Sequence, residues 1–255
     1  DFLPVPVANA FRRPDRARSA PRPVVLQSAV DVVRLIVVDG DVVELTDRQC
    51  PDESPGQPAV AALGDAGVPR VLMGQRHGNM AFMANKYVFP GGRIDPGDMR
   101  LSVTSQLRPH VAARAGHGST PARARGLALA AIRETFEETG ILIGERADHL
   151  PRTRAPAWKK FFEHKVLPRL DTLEIIARAV TPPNRTRRFD ARFFMVDASA
   201  IVHELEELDN EELLTPAWLT LDEARALDLP SITRTVLDEV EARVREGADP
   251  SRPIP

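Results

Sequence analysis

Runs of valine, isoleucine and leucine alternate along the chain with stretches in which apolar side chains recur at helical spacing. The runs predict strands, because β-branched residues bounded by Gly, Pro, Asn or Asp are typical of strands. In the first run, residues 24–45, Asp39-Gly40 divides two apolar stretches and predicts a hairpin. Further strands are expected at residues 70–75, 173–180, 187–196 and 218–221.

Helical spacing is clearest in two places. Residues 127–139 combine good helix formers with Gly140 just past a charged turn, which is a usual C-terminal signal. In residues 231–245 the apolar side chains recur at period four, and we expect Ser231 to cap the helix. Shorter helices are expected at residues 101–115, 156–167 (which carries Trp158) and 222–226. This alternation predicts an α/β protein, with a mixed β-sheet packed between helices.

Three glutamates dominate the end of the 127–139 helix. Glu134 and Glu138 are four residues apart and Glu137 is three from Glu134, so the three carboxylates share one face. Like charges at this spacing repel one another, and glutamates near a helix C-terminus also oppose the helix dipole. Arg133 neutralises only part of this charge. Clustered oxygen ligands on a rigid element are what Mg²⁺ or Mn²⁺ prefers, so we favour a metal site over a solvated acidic helix end.

A glycine-rich loop upstream completes a known motif. Residues 89–98 hold three glycines and two prolines, which predicts a loop whose backbone approaches a ligand closely. Together with the acidic helix, this loop resembles the Nudix box, whose pattern is Gly, five residues, Glu, seven residues, then Arg-Glu-x-x-Glu-Glu-x-Gly and an apolar residue. The matching positions are Gly92, Arg133, Glu134, Glu137, Glu138, Gly140 and Ile141.

Two features depart from that pattern. Asp98 stands where the family has Glu, a carboxylate longer by one methylene, and 34 residues separate Asp98 from Arg133 instead of seven. A box split in this way resembles one branch of the family, which includes animal peroxisomal proteins similar to coenzyme A diphosphatases and many bacterial relatives. Residues 82–83, 88–92 and 131–138 are similar to that branch, and the resemblance runs from about residue 71 to residue 239.

The resemblance implies the Nudix α/β/α sandwich and a hydrolase that depends on a divalent metal. Such an enzyme cleaves the diphosphate bond of a nucleoside diphosphate linked to another group. Coenzyme A or acyl-CoA is the first expectation for the substrate. ADP-ribose, NADH, dinucleoside polyphosphates and nucleotide sugars stay open, because residues 71–76 do not match the longer motif of the best-known CoA-specific members. A Nudix-fold ligand-binding or regulatory protein without catalysis is the alternative, and a homodimer is an expectation from the family.

The resemblance also implies which groups hold the metal. Glu134, Glu137 and Glu138 would bind Mg²⁺ or Mn²⁺ together with a backbone carbonyl of Gly91 or Gly92.

Other roles follow from the same resemblance. Arg133 would orient a neighbouring glutamate, and Asp98 would support that network, with its short side chain putting its reach in question. Nudix enzymes commonly bring one more carboxylate, as ligand or base, from the region that corresponds to the acidic loop 203–212. Glu212 or Glu211 would be that group, although a solvated acidic loop explains the same composition.

Four residues are candidates for binding the substrate. Arg76 ends a predicted strand, and Arg187 and Arg188 lie on or beside another, so each could reach a phosphate. An exposed strand end for Arg76, and ion pairs with the acidic loop for the other two, are equally good explanations. Tyr87 is expected in the core or the pocket wall, with base stacking as a further reading.

The segment that splits the box, residues 99–125, contains five arginines and no acidic residue. It would hold an anionic substrate tail, steer polyphosphates toward the site or contact a second subunit. A solvated helical arm that pairs with acidic surface elsewhere is the competing explanation. Residues 1–23, rich in Pro and Arg, predict a flexible arm or leader, or an arm that crosses a partner subunit.

Composition limits the remaining possibilities. With 43% hydrophobic and 27% charged residues among 255, the chain has the make-up of a globular protein, and we expect a single domain over residues 24–247 with a tail at 248–255. The formal charge of −2 gives no general attraction to nucleic acid or to anionic membranes. One cysteine excludes an internal disulfide, and no apolar run reaches membrane-spanning length, so a cytoplasmic location is expected.

Overall fold

The structure is a computed structural model. It describes residues 68–79, 84–181, 189–205, 213–246, 249 and 251–255, together with the backbone of residues 33–40. Several sequence predictions lie outside these residues: the N-terminal arm, the second half of the expected hairpin, and residues 82–83.

The described strands and helices follow in chain order. The strands are β1 (Val33–Gly40), β2 (Arg70–Arg76), β3 (Tyr87–Val88), β4 (Ile141–Ile143), β5 (Glu145–Arg146), β6 (Val166–Leu167), β7 (Glu174–Val180), β8 (Asp190–Asp197), β9 (Ile201–Glu204) and β10 (Leu213–Thr220). The helices are α1 (Pro96–Arg100), α2 (Pro109–Ala115), α3 (Pro121–Thr139), α4 (Pro156–Glu163), α5 (Leu221–Arg225) and α6 (Ser231–Glu246).

The strands form two three-stranded sheets and two short pairs. β8 lies between β1 and β7 in one sheet, and β2 lies between β10 and β3 in the other. The short pairs are β4 with β9 and β5 with β6. Every ladder between described strands is antiparallel, and β1 lies beside β2 without a ladder joining these two described strands.

Different helices cover the two faces of the strands. Neighbouring residues of a strand point to opposite faces. Leu72 of β2 and Phe194 of β8 accordingly belong to one core, which also contains residues of α2, α3 and α4. Val71 and Phe193 belong to a second core with residues of α5 and α6. The arrangement confirms the predicted α/β class with helices on both sides of the strands. No helix among the described residues is both long and apolar enough to cross a bilayer.

The helix that carries the acidic turn is longer than predicted. It begins at Pro121, where proline suits the first position of a helix, and the Thr120 hydroxyl accepts a hydrogen bond from the Arg123 N–H at 3.2 Å. It ends as predicted, because Gly140 adopts the left-handed conformation with φ 72°.

The segment that splits the box differs from its prediction. Of the helix expected at residues 101–115, only the second half forms, since α2 begins at Pro109 and a residue before proline disfavours the helical conformation. The segment is also packed: Leu101 and Val111 are buried in the first core. The Arg192 Nε of β8 donates to the Ala115 carbonyl at 2.8 Å, and Arg108 pairs with Glu174 of β7. The competing explanation of a solvated arm is therefore contradicted by this packing, although the Arg108–Glu174 ion pair is a contact with an acidic residue elsewhere, as that explanation expected.

Three other boundaries also differ. Helix α4 ends at Glu163 instead of residue 167, because Lys165 takes a positive φ of 54° and β6 follows. Helix α6 begins at Ser231 itself, and β10 begins at Leu213, earlier than residue 218. The described end of the chain is also attached, since the Arg178 N–H of β7 donates to the Pro255 carbonyl at 3.0 Å.

Candidate active site

The Gly loop reaches the acidic turn of α3 directly after β3. The Gly91 N–H donates to the Glu138 Oε2 at 2.7 Å. Gly91 itself has φ 152°, a conformation that other residues rarely adopt. One residue on, a Cβ atom placed on Gly92 would lie 2.3 Å from the Glu134 Oε2. Two successive glycines therefore lie against two of the three glutamates, and at Gly92 the close approach leaves no room for a side chain.

A single guanidinium organises the rest of the turn. Arg133, only 6% exposed, makes five hydrogen bonds, which uses all five N–H donors of the group. Its Nη1 donates to Glu134 at 2.8 Å and to Glu137 at 2.6 Å. Its Nη2 donates to the Arg93 carbonyl of the Gly loop at 2.7 Å. Arg133 thus fixes the carboxylates relative to the loop.

Asp98 is the anionic partner of that guanidinium and is fully buried. Its Oδ1 accepts from the Arg133 Nε at 2.9 Å and its Oδ2 accepts from the Arg133 Nη2 at 3.0 Å, which is the bidentate geometry that favours arginine. The Asp98 side chain reaches the Arg133 guanidinium because Asp98 lies in the first turn of α1. There its carboxylate also accepts a hydrogen bond from the Asp95 N–H in a capping box. The Asp98 carboxylate, although short, therefore joins the two halves of the motif in space, across the 34 residues that separate them in sequence.

Burial and charge shift the pKa values of this cluster. Burial raises the pKa of Glu134 to about 7, and the charge of Arg133 and its hydrogen bond oppose that rise. Burial by itself would lower the pKa of Arg133, but the hydrogen bond with Asp98 and the charge of Glu134 outweigh it, so the pKa of Arg133 lies above its ordinary value. Arg133 is a permanent cation, and Glu134 is a carboxylate whose charge is only partly compensated.

A solved structure is similar to this chain in fold. It is a NUDIX hydrolase from Alicyclobacillus acidocaldarius, 23% identical, which matches with a TM-score of 0.54 over 83% of this chain and 91% of that one. The chain has a Nudix hydrolase fold. At this identity the similarity establishes the fold alone. No protein-family model matches the sequence.

The side chains at this site carry the type of ligand atom that a divalent cation prefers. Glu134 and Glu138 supply the hard oxygens that Mg²⁺ and Mn²⁺ prefer, and both contact the Gly91–Gly92 backbone. Glu134 lies in the space that a Cβ on Gly92 would fill. Within the described ranges, however, no three His, Cys, Asp or Glu side chains form a ready metal cluster. Glu137 is the most exposed of the three glutamates and is turned toward Arg133.

The other candidate residues do not join this cluster. Arg76 ends β2, where its N–H donates to the Lys86 carbonyl at 2.9 Å, and its buried Nε finds no partner among the described residues. Tyr87 pairs with Gln75 across β3 and β2 and packs against the second core, as one of its readings expected. Arg187, Arg188, Glu211 and Glu212 lie outside the described residues, so their roles stay predictions.

The sequence pattern places Trp158 on a helix and indicates no role for it at the site. In the structure its ring Nε1 donates to the Asp98 Oδ1 at 2.8 Å. A buried tryptophan needs an acceptor for its N–H, which is the one signal that sequence offered. It does not say which acceptor, since 59 residues lie between Asp98 and Trp158.

Proposed function

We propose that the protein is a divalent-metal-dependent hydrolase that cleaves the diphosphate bond of a nucleoside diphosphate linked to another group. The observation that supports this most strongly is the meeting of the Gly loop with the acidic turn of α3 around Arg133. Despite 34 intervening residues, the two halves of the motif are in hydrogen-bond contact through Asp98.

The residues of the chain have distinct parts in this proposal. Glu134, Glu137 and Glu138 would hold Mg²⁺ or Mn²⁺, with a carbonyl oxygen of Gly92 as a further ligand. The bound metal would neutralise phosphate charge and lower the pKa of a water molecule. Arg133 stays bound to the carboxylates and does not touch the substrate, because all its donors are used.

The reaction itself is a hydrolysis at phosphorus. The oxygen of a water molecule forms a bond to one phosphorus, and the bond from that phosphorus to the bridging oxygen breaks. The bridging oxygen leaves on the second phosphate, so the diphosphate becomes two phosphate monoesters, one on each product. One proton of the water passes to a base, for which Glu212 or Glu211 is our candidate.

For the substrate we propose coenzyme A or acyl-CoA, cleaved to 3′,5′-ADP and a phosphopantetheine. The split box supports this choice, since that is the feature that resembles the CoA-cleaving branch. ADP-ribose, NADH and nucleotide sugars are the competing substrates. A cytoplasmic location is proposed on the single cysteine, and the arginines at 187 and 188 and Arg76 are proposed to contact phosphates.

The test is a substrate panel with a variant of Glu138. The protein is incubated with Mg²⁺ or Mn²⁺ and CoA, acyl-CoA, ADP-ribose, NADH, dinucleoside polyphosphates or nucleotide sugars, and the products are separated by chromatography and identified by mass. In ¹⁸O-labelled water, the product that gains the label identifies the phosphorus attacked. We expect Glu138→Gln to retain the fold and lose activity about 100-fold or more, because a metal ligand is lost.

Glu145→Gln is the matched control, because Glu145 is a half-exposed carboxylate bound to Arg169 on the surface. It should keep full activity. Undiminished metal-dependent turnover in Glu138→Gln would refute the metal assignment. Tight binding of one compound without metal and without cleavage would instead make the protein a ligand-binding member of this fold.

A further inference from the structure

Helix α4 contacts the acidic turn through a polar chain that begins at Trp158. This side chain is fully buried, and its ring N–H donates to the Asp98 Oδ1 at 2.8 Å. Asp98 is also fully buried, so neither group has water as an alternative partner. A hydrogen bond between a buried donor and a buried carboxylate is strong in its orienting effect, because its loss leaves polar atoms unsatisfied.

With that bond, Asp98 accepts four hydrogen bonds, two on each oxygen. The Oδ1 accepts from Arg133 and Trp158, and the Oδ2 accepts from Arg133 and the Asp95 N–H. Each carboxylate oxygen therefore accepts one hydrogen bond from Arg133 and one from a second donor, which is Trp158 for Oδ1 and the Asp95 N–H for Oδ2. These second donors fix the plane of the carboxylate, and a bidentate arginine follows the plane of its partner.

The orientation of Arg133 in turn decides where two glutamates stand. Once its Nε and Nη2 are bound to Asp98, the planar guanidinium leaves one direction for Nη1. Nη1 is the atom that holds Glu134 at 2.8 Å and Glu137 at 2.6 Å. A rotation of Asp98 would consequently move both carboxylates.

Apolar contacts hold Trp158 in place for this task. The ring centroids of Trp158 and Phe161 are 5.2 Å apart, and those of Phe161 and Phe136 are 5.3 Å apart. Phe136 lies on α3 between Glu134 and Glu138. On the other side, a Cβ on Gly97 would be 2.7 Å from the Ala155 Cβ, so α1 packs tightly on the start of α4. Helix α4 thus supports both the helix and the loop that form the site.

We propose that Trp158 is a positioning residue of the active site, which acts through Asp98 and Arg133 to fix the carboxylates that bind the metal. It touches no reacting group itself. The proposal rests on the function proposed above in that it assumes a bound metal. The contacts that lead from Trp158 through Asp98 to Arg133 do not depend on that assumption. The sequence gap in the box makes such a residue useful, because Asp98 no longer lies one short loop away from Arg133.

The deciding variant is Trp158→Phe, which keeps an aromatic ring and removes the N–H donor. Its matched control is Phe162→Leu, since Phe162 stacks on Trp158 with centroids 5.9 Å apart and loosens the same aromatic cluster when shortened. Binding of Mn²⁺ alone is followed by the electron paramagnetic resonance signal of the free ion. Thermal unfolding is recorded for each protein.

We expect Trp158→Phe to weaken Mn²⁺ binding about tenfold, at the lower end of the effects seen for groups that support metal ligands. The Mn²⁺ affinity of Phe162→Leu should stay within twofold of wild type, although its Tm falls as much as that of Trp158→Phe or more. On a cleaved substrate, Trp158→Phe should lower kcat and leave KM within twofold. Equal Mn²⁺ affinities in the two variants, or losses that follow Tm in both, would refute the positioning role.

A second measurement separates this proposal from the proposed function. In protein labelled with ¹⁵N-arginine, the Nε–H of Arg133 should exchange slowly with solvent in wild type and in Phe162→Leu. It should exchange at least about tenfold faster in Trp158→Phe, because Asp98 then loses one of its four hydrogen bonds and is held less firmly. Unchanged exchange would overturn the proposal. Wild-type protein that binds no Mn²⁺ but shows the faster exchange in the variant would refute only the function.

Discussion

At the scale of single residues, the position of the glutamates in the acidic turn depends on close packing against the Gly loop as well as on charge. Gly92 leaves just enough room for the Glu134 carboxylate, whose oxygens lie 2.3 and 2.6 Å from where a Cβ would stand. The obstructing atoms are the end of a flexible side chain. An added methyl group would therefore displace the carboxylate without disturbing the backbone.

Gly92→Ala should accordingly separate activity from stability. We expect the free energy of unfolding to fall by less than about 1 kcal/mol, because Glu134 can move aside. Activity should fall about 100-fold, since a shift of about 1 Å at a reacting centre is enough for that. Urea unfolding and steady-state rates check both. Gly78→Ala, where the nearest atom is the Asn85 Oδ1 at 3.0 Å, serves as control. Activity within twofold of wild type would contradict the close contact.

Part of this site is predictable from the sequence. Helical periodicity alone places Glu134, Glu137 and Glu138 on one face, and the motif indicates that Arg133 orients a glutamate. The contacts of Arg133 with Glu134 and Glu137 agree with that expectation. The reach of Asp98 was not predictable, because it depends on where α1 packs. That packing is a tertiary property, for which side-chain length gives no information.

At the scale of elements, the segment that splits the box is a part of the core. Leu101 is 2% exposed, and the Arg125 Nη2 donates to its carbonyl. One further arginine of the segment binds β7 and the residue before it: Arg108 donates to the Leu173 carbonyl at 2.9 Å and to Glu174 at 2.8 Å. Arg108 thus attaches the segment to β7, and Arg125 connects α3 to the start of the segment.

Leu101→Ala tests whether this packing matters. We expect a loss of about 3 kcal/mol in the free energy of unfolding, the usual cost of such a cavity in a core. Gln106→Ala, at an exposed position of the same segment, should change it by less than about 0.5 kcal/mol. Urea unfolding at pH 7 measures both. Similar small values for the two variants would show that the segment is not part of the core.

Elements with strong local signals were predicted well, and those limited by proline or by tertiary contacts were not. β2, β7 and the end of α3 lie where periodicity and Gly140 place them. The expected helix at 101–115 overlooked Pro109, which starts a new helix and excludes a helical Arg108. Helix α4 was extended too far because nothing in the sequence indicates that Lys165 adopts a positive φ.

At the scale of the whole molecule, the site lies between parts that are distant in sequence. The Gly loop follows β3, the acidic turn ends α3, and α4 supports both from a third part of the chain. A ligand that binds this junction only in the folded protein stabilises the entire fold. Metal binding should therefore be visible in global unfolding.

Mn²⁺ at 100 times its dissociation constant should raise the free energy of unfolding by about 2.7 kcal/mol. For a chain of this size, that corresponds to a Tm increase of roughly 5 to 10 °C. Scanning calorimetry with Mn²⁺ and then with excess chelator measures the effect and its reversal. Glu145→Gln should respond as wild type does. An equal increase in Glu138→Gln would place the ion elsewhere.

The 34-residue separation between Asp98 and Arg133 also has a consequence for the order of folding. Closing a loop about five times longer than the seven-residue spacing of the motif adds about 1.4 kcal/mol of chain entropy. Helix α3 needs only local contacts and can form before that loop closes. Until Asp98 arrives, the helix carries its three glutamates with Arg133 alone to compensate them. We therefore expect this region to gain its helix early and the contact between Asp98 and Arg133 last, so that on unfolding this contact is lost before the helix.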